Sequence, residues 1–244
     1  MMRPYTFQVK LTNFMINKMN DFQLNNLKDP TKFHEKIKLE NYSIEEYLFA
    51  LKRMKLIRRA EEILGDNVEN GKIKCPCHLS IGQEAIPVGI AKFLTEKDYV
   101  FGNHRSHGHF LSMTDDVHKL FAETLGKVTG SSKGMGGSMH VIAAESGFHG
   151  SVPIVSATIP VSVGAGLNAK LKNNNSVAVS YFGDGTTEEG TFHESLNLAS
   201  YYKLPVLFVC ENNLFSSHMH INERQPADSV ARFANSHEMM FEII

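Results

Sequence analysis

Val177-Ala178-Val179-Ser180-Tyr181-Phe182 leads into Gly183-Asp184-Gly185, and Val206-Leu207-Phe208-Val209-Cys210 leads into Glu211-Asn212-Asn213. Both runs are short, rich in β-branched or aromatic residues and closed by turn formers, so both read as strands. Between them Phe192, Leu196 and Ala199 fall at i, i+4 and i+7, one face of a helix. Strand, helix and strand make a βαβ unit, whose right-handed crossover predicts parallel, neighbouring strands. Asp184 and Asn213 are then expected side by side at the carboxyl edge of the sheet, where open α/β folds bind ligands. The predicted fold class is α/β, an open, mostly parallel sheet flanked by helices.

The residue types at the two strand ends suit one chemistry. A carboxylate and an amide carbonyl are hard oxygen ligands; with a backbone carbonyl and phosphate oxygens they complete the octahedron that Mg²⁺ demands. The glycines beside Asp184 let a bulky anion approach the backbone, and the following helix offers it unpaired N–H groups. A plainer alternative is an ordinary strand–loop–helix whose acid caps the helix. A nicotinamide-binding fold is a rival: Gly183-x-Gly185 begins its fingerprint, and Glu211 stands where a ribose-binding acid would sit. Glu188 replaces the third glycine, however, and its carboxylate would repel a pyrophosphate. No Gly-x-x-x-x-Gly-Lys-Ser/Thr occurs, which excludes a P-loop.

Gly183-Asp184-Gly185 followed by Glu211-Asn212-Asn213 resembles the thiamine-diphosphate motif. The neighbouring text, Gly-Asp-Gly-Thr-Thr-Glu-Glu-Gly-Thr-Phe-His-Glu-Ser-Leu-Asn-Leu-Ala, resembles the alpha subunit of the 2-oxo acid dehydrogenases (pyruvate, branched-chain and acetoin types). The resemblance begins near Tyr47 and includes Cys77-His78-Leu79-Ser80-Ile81-Gly82-Gln83-Glu84-Ala85. It continues through His104-Arg105-Ser106-His107-Gly108 and Lys133-Gly134-Met135-Gly136-Gly137-Ser138-Met139-His140, and ends near Asn222.

The resemblance implies the thiamine-diphosphate-binding fold and a role for each matching position. Asp184 and Asn213 would ligate Mg²⁺ through their side chains, and Phe215 through its backbone carbonyl. Gly183, Gly185 and Thr186 would lie along the diphosphate, with Arg105 binding one of its oxygens through a planar fork. Val155 matches the residue that bends the cofactor, and the backbone of Pro153 and Val155 would face the aminopyrimidine. His104 stands where many relatives carry Tyr. His107 and His140 match active-site histidines, candidate proton donors because imidazole titrates near working pH.

The implied reaction is oxidative decarboxylation of a 2-oxo acid of the pyruvate type, dependent on thiamine diphosphate and Mg²⁺, with the acyl group passing to lipoamide on a lipoyl acyltransferase core. No position here is assignable to the carboxylate that activates the cofactor. In the family it comes from a beta subunit, so a heterotetramer with the cofactor between chains is expected. Family members continue for roughly a hundred residues, on the order of a further lobe, so the carboxyl-terminal part is expected to be missing. A transketolase-like amino-terminal half is an alternative, although that kind usually shows Asp-x-Asn at the second strand end. A non-catalytic truncated subunit is another.

The 244 residues suffice for one large α/β domain, expected over 41–244 behind an Asn- and Lys-rich arm at 1–40. With 25 basic and 26 acidic residues the net charge is −1, which gives no bulk attraction to nucleic acid or anionic membranes. No apolar run reaches transmembrane length. Cys75, Cys77 and Cys210 form no disulfide framework, so a reducing cytoplasm is expected, or the mitochondrial matrix in a eukaryote.

Helices are expected over 43–64, 83–93, 115–125 and 161–171. The first starts with a capping box, Ser43 and Glu46, stops at Gly65, and buries Leu48, Leu51, Met54 and Ile57. Gly164 and Gly166 inside the last suggest close packing on a neighbour. The glycine-rich segment 130–138 lacks a strand before it and a helix after it, so it reads as a flexible substrate-facing or interface loop rather than a phosphate cradle. His104, His107 and His109 raise a structural metal as a lesser alternative; the spacing lacks Cys-x-x-Cys and a nearby acid.

Overall fold

The computed structural model describes Leu24, residues 29–32 and residues 42–244; most of the arm expected over 1–40 lies outside these. Its elements are α1 (Ile44–Glu69), α2 (Ala85–Ala91), β1 (Tyr99–Gly102), α3 (His107–Thr114), α4 (Val117–Thr124), β2 (Phe148–Ser151) and α5 (Thr158–Lys172). These are followed by β3 (Ala178–Gly183), α6 (Gly190–Tyr201), β4 (Val206–Glu211), β5 (Phe215–Ser216), β6 (Met219–His220), α7 (Ile221–Arg224) and α8 (Ala231–Ser236).

The capping box forms: Ser43 Oγ accepts from the Glu46 N–H at 3.2 Å, and the Glu46 carboxylate accepts from the Ser43 N–H at 2.7 Å. Gly65 does not end α1, which runs on to Glu69 and is capped at Asn70. Instead Gly65 lets the helix approach Leu79, whose methyl would lie 3.2 Å from an added Cβ. The buried stripe also falls later than expected, on Ile57, Ala60, Glu61 and Leu64, while Leu48 and Leu51 are exposed.

The main sheet is parallel, in the order β2-β1-β3-β4. β3 and β4 are adjacent and in register from Ala178 opposite Val206 to Gly183 opposite Glu211, as the βαβ reading requires. From β1 the chain steps to β2 on one side, then returns across β1 to build β3 and β4 on the other. A crevice between the carboxyl ends of β1 and β3 is the result of such a reversal.

Side chains alternate across a strand, and β3 uses both faces. Val179 and Tyr181 join the larger core with Ile57, Leu64, Phe110, Leu120 and Phe148. Phe182 joins a second core with Ile159, Phe192 and Leu196, packed by Phe208 and Phe233. Phe192, Leu196 and Ala199 are all buried, as their spacing predicts. The glycines of α5 differ: an added Cβ on Gly166 would sit 2.4 Å from Val206 Cγ2, whereas exposed Gly164 has nothing within 4 Å. No helix among the described residues is long and apolar enough to cross a membrane.

Candidate active site at the carboxyl edge of the sheet

Parallel strands deliver their following residues to one edge, and every strand here delivers expected site residues. His104 and Arg105 follow β1, Pro153 and Val155 follow β2, Asp184 follows β3, and Asn213 follows β4. His140 arrives from the segment before β2. The Ser151 N–H donates to the Val141 carbonyl at 3.2 Å, and Ser151 Oγ donates to the Met139 carbonyl at 2.9 Å, so residues 139–141 lie against the end of β2.

Asp184 is the most constrained member. It is 1% exposed. One carboxylate oxygen, Oδ2, accepts from Arg224, whose guanidinium also reaches Glu188. The other, Oδ1, is buried with no hydrogen-bond partner. Burial pushes the Asp184 carboxyl above its ordinary range, and Arg224 only partly offsets it. A buried acceptor left without a donor costs about 1–3 kcal/mol, and a cation on Oδ1 would relieve that cost. Asn213, exposed on the neighbouring strand end, turns its Oδ1 to the Phe215 N–H at 3.0 Å. Carboxylate, amide oxygen and the Phe215 carbonyl are hard oxygen donors of the type Mg²⁺ takes, so this residue set fits such an ion.

Gly185 is needed by the protein's own packing. A Cβ there would sit 2.5 Å from Ser216 Oγ, so the β5–β6 hairpin rests on the turn that carries Asp184. Thr186 is buried in the same turn, and Gly183 is half-buried at the strand end. Val155 is 47% exposed, and Pro153 half-buried.

His104 packs edge-on against His78, with ring centroids 4.9 Å apart. Burial, then the nearby Arg105 charge and His78, hold His104 down at about 4. Burial and Arg105 lower His78 too. The Arg105 side chain makes no hydrogen bond among the described residues and stands beside two neutral imidazoles. That group can bind an anion with one full charge and neutral N–H donors.

His107 is enclosed by other side chains of the chain. It is fully buried at the start of α3. Nδ1 meets Glu61 Oε2 at 3.1 Å, and Nε2 meets Ser138 Oγ at 2.8 Å. Glu61 also accepts from Ser80 Oγ at 2.7 Å. Both ring nitrogens are engaged, so His107 ties α1, the 77–85 segment and the glycine-rich loop together. His109 is likewise engaged, with Glu211 at 3.1 Å and Ser106 at 3.1 Å. The histidine cluster therefore divides among separate partners rather than converging on one ion.

His140 is exposed, and its Nδ1 donates to the Gly136 carbonyl at 3.3 Å. The glycine-rich segment does cradle an anion, but an internal one: Glu123, buried in α4, accepts from four of its backbone N–H groups. Glu61 and Glu123 carried one signal in the sequence, a carboxylate at a helix position otherwise reserved for the core, beside Ile57 and Leu64 or beside Leu120.

Residues 52–240 match the family model described as Dehydrogenase E1 component. The alpha subunit of acetoin:2,6-dichlorophenolindophenol oxidoreductase from Bacillus subtilis (strain 168) is 37% identical over 205 residues, 83% of this chain and 62% of that protein. The pyruvate dehydrogenase E1 component subunit alpha of Rhizobium meliloti (strain 1021) is 40% identical over 178 residues, 73% of this chain and 51% of that protein. The mitochondrial subunit alpha-1 of the same component from Arabidopsis thaliana is 38% identical over 172 residues, 70% of this chain and 44% of that protein. The chain thus spans about half the length of the curated relatives it matches.

Proposed function

Because the chain belongs to the dehydrogenase E1 component family, we propose that it carries the cofactor-anchoring part of an alpha-subunit active site. The proposed reaction is oxidative decarboxylation of a pyruvate-type 2-oxo acid with acyl transfer to lipoamide, dependent on thiamine diphosphate and Mg²⁺. Its partners are a beta subunit and a lipoyl acyltransferase core. We place the anchoring part in a single domain over 41–244. The observation that carries this reading is the buried, unpartnered Oδ1 of Asp184 at the edge where the sheet order reverses.

Asp184, Asn213 and the Phe215 carbonyl would hold Mg²⁺. Arg105 would bind diphosphate, with Gly183, Gly185 and Thr186 along it. Because His104 and His78 stay neutral, they add hydrogen bonds there without adding charge. Val155 offers an exposed apolar surface for bending the cofactor, beside the Pro153 backbone. Thiamine diphosphate, when bound, supplies a nucleophilic thiazolium carbon and a sink for the electrons left by departing carbon dioxide. His140 is the exposed imidazole able to move a proton at Nε2. His107 acts at one remove, holding Ser138 two residues before His140. The activating carboxylate is assigned to the beta subunit.

Calorimetry with thiamine diphosphate plus Mg²⁺, in the presence of the beta subunit, tests this. Saturable binding is expected, and Asp184→Ala is expected to abolish it. No binding by the unaltered complex, or unchanged affinity in the variant, would overturn the assignment.

A further inference from the structure

The 130–137 segment is built around a carboxylate of its own chain. Glu123 is fully buried and forms no ion pair among the described residues. Its Oε2 accepts from the N–H of Ser132 at 2.6 Å and of Gly134 at 2.9 Å. Its Oε1 accepts from the N–H of Gly136 at 2.6 Å and of Gly137 at 3.1 Å. Backbone N–H groups converging in this way form a nest that holds an anion by oriented dipoles. The wrap leaves no room for a side chain at two of its glycines: a Cβ on Gly130 would lie 2.5 Å from Glu123 Cα, and one on Gly136 2.1 Å from the His140 carbonyl oxygen.

Two of the residues that Glu123 grips also grip His140. Ser132 gives its N–H to Glu123, and its hydroxyl donates to the His140 carbonyl at 2.6 Å. Gly136 gives its N–H to Glu123, and its carbonyl meets His140 Nδ1 at 3.3 Å. A carbonyl only accepts, so Nδ1 must carry the proton. In the neutral ring Nε2, with no protein partner among the described residues, is then left with the lone pair.

We propose that Glu123 is a positioning residue that fixes the Nδ1–H tautomer of His140 and so presents Nε2 as the proton-accepting nitrogen at the sheet edge. The tautomer is a property of this chain; its use in proton transfer rests on the function proposed for His140. Free histidine favours the opposite, Nε2–H form, so the assignment has a distinct signature. A stapling role confined to loop stability would lower the melting temperature and leave the tautomer alone.

The test is imidazole ¹⁵N NMR of the full chain at a pH where the ring is neutral, with the His140 signals identified by their loss in His140→Gln. The unaltered chain should show His140 mainly as Nδ1–H. In Glu123→Gln, which turns an N–H toward the nest, the Nδ1–H to Nε2–H ratio should fall about fivefold, the loss of one net hydrogen bond. Glu123→Asp, which keeps the charge but reaches only part of the loop, serves in its place if that variant does not fold. An Nε2–H ring in the unaltered chain, or an unchanged ratio in the folded variant, overturns the proposal. If the tautomer shifts as expected while His140→Gln leaves turnover of the assembled complex intact, the positioning stands and the proton-transfer role of His140 falls.

Discussion

His109 and Glu211 meet inside the protein, Nε2 of the imidazole 3.1 Å from Oε1 of the carboxylate, with the imidazole stacked on Tyr181 at 4.0 Å between ring centroids. Glu211 is 4% exposed. The acid at the end of β4, which a nicotinamide-binding fold would turn to a ribose, is therefore committed to linking β4 with α3.

Glu211→Ala should strand the buried His109 nitrogen and cost about 1–3 kcal/mol, read as a lower urea midpoint. The unaltered chain should show no saturable NAD binding by calorimetry. Micromolar binding would restore the nicotinamide reading.

His107→Ala should leave the Glu61 carboxylate buried without its imidazole and cost about 3 kcal/mol or more. The same loss should be shared with Glu61→Ala, so a double-mutant cycle should show clear non-additivity. A His107→Asn chain with unaltered stability but depressed turnover would return His107 to the chemistry.

Stability should fall in acid before ordinary carboxylates titrate. The folded pKa of His104 is about 4, below its ordinary 6.5. Between those values the unfolded chain takes up a proton that the folded chain refuses. Stability present above pH 6.5 is therefore lost progressively as pH falls toward about 4. His78, also lowered, acts in the same direction. Denaturant midpoints measured across that window should slope less in His104→Gln; an equal slope in both chains would remove His104 as a cause.

Gly164→Ala and Gly166→Ala should differ in sign. With open space around it, alanine at 164 should add up to about 1 kcal/mol by helix propensity. At 166 the new methyl would enter the space of Val206, 2.4 Å away, and overpacking of this kind costs about 1–3 kcal/mol. Thermal melts of the two single variants decide it.

The βαβ unit was legible because its information is local. Short apolar runs, turn formers and a helical spacing named β3, α6 and β4, and the handedness of crossovers made the strands parallel neighbours. β1 and β2 carried no such signal: each is only four residues long, and their pairing depends on segments far apart in sequence. The buried stripe of α1 departs from its periodicity-based position for a related reason. Periodicity gives the angle of a helix face, but the elements packed on α1, chiefly α2 and α3, decide which turns are covered, and they leave Leu48 and Leu51 exposed while Ile57, Ala60, Glu61 and Leu64 are buried.

At the site, the sequence by itself determined that Asp184 and Asn213 meet at the carboxyl edge, because strand direction in the βαβ unit sends both there. Arg105 and Val155 were expected at the site through the family resemblance, and the structure shows that they follow β1 and β2. Only the tertiary structure decided what each one faces. Partners separated by dozens of residues set the roles: Glu61 takes His107 out of the solvent, Glu211 takes His109, Arg224 takes one oxygen of Asp184 and leaves the other bare. Spacing along a chain fixes direction and face. Burial and hydrogen bonding, which fix chemistry, belong to contacts that form only when distant segments pack.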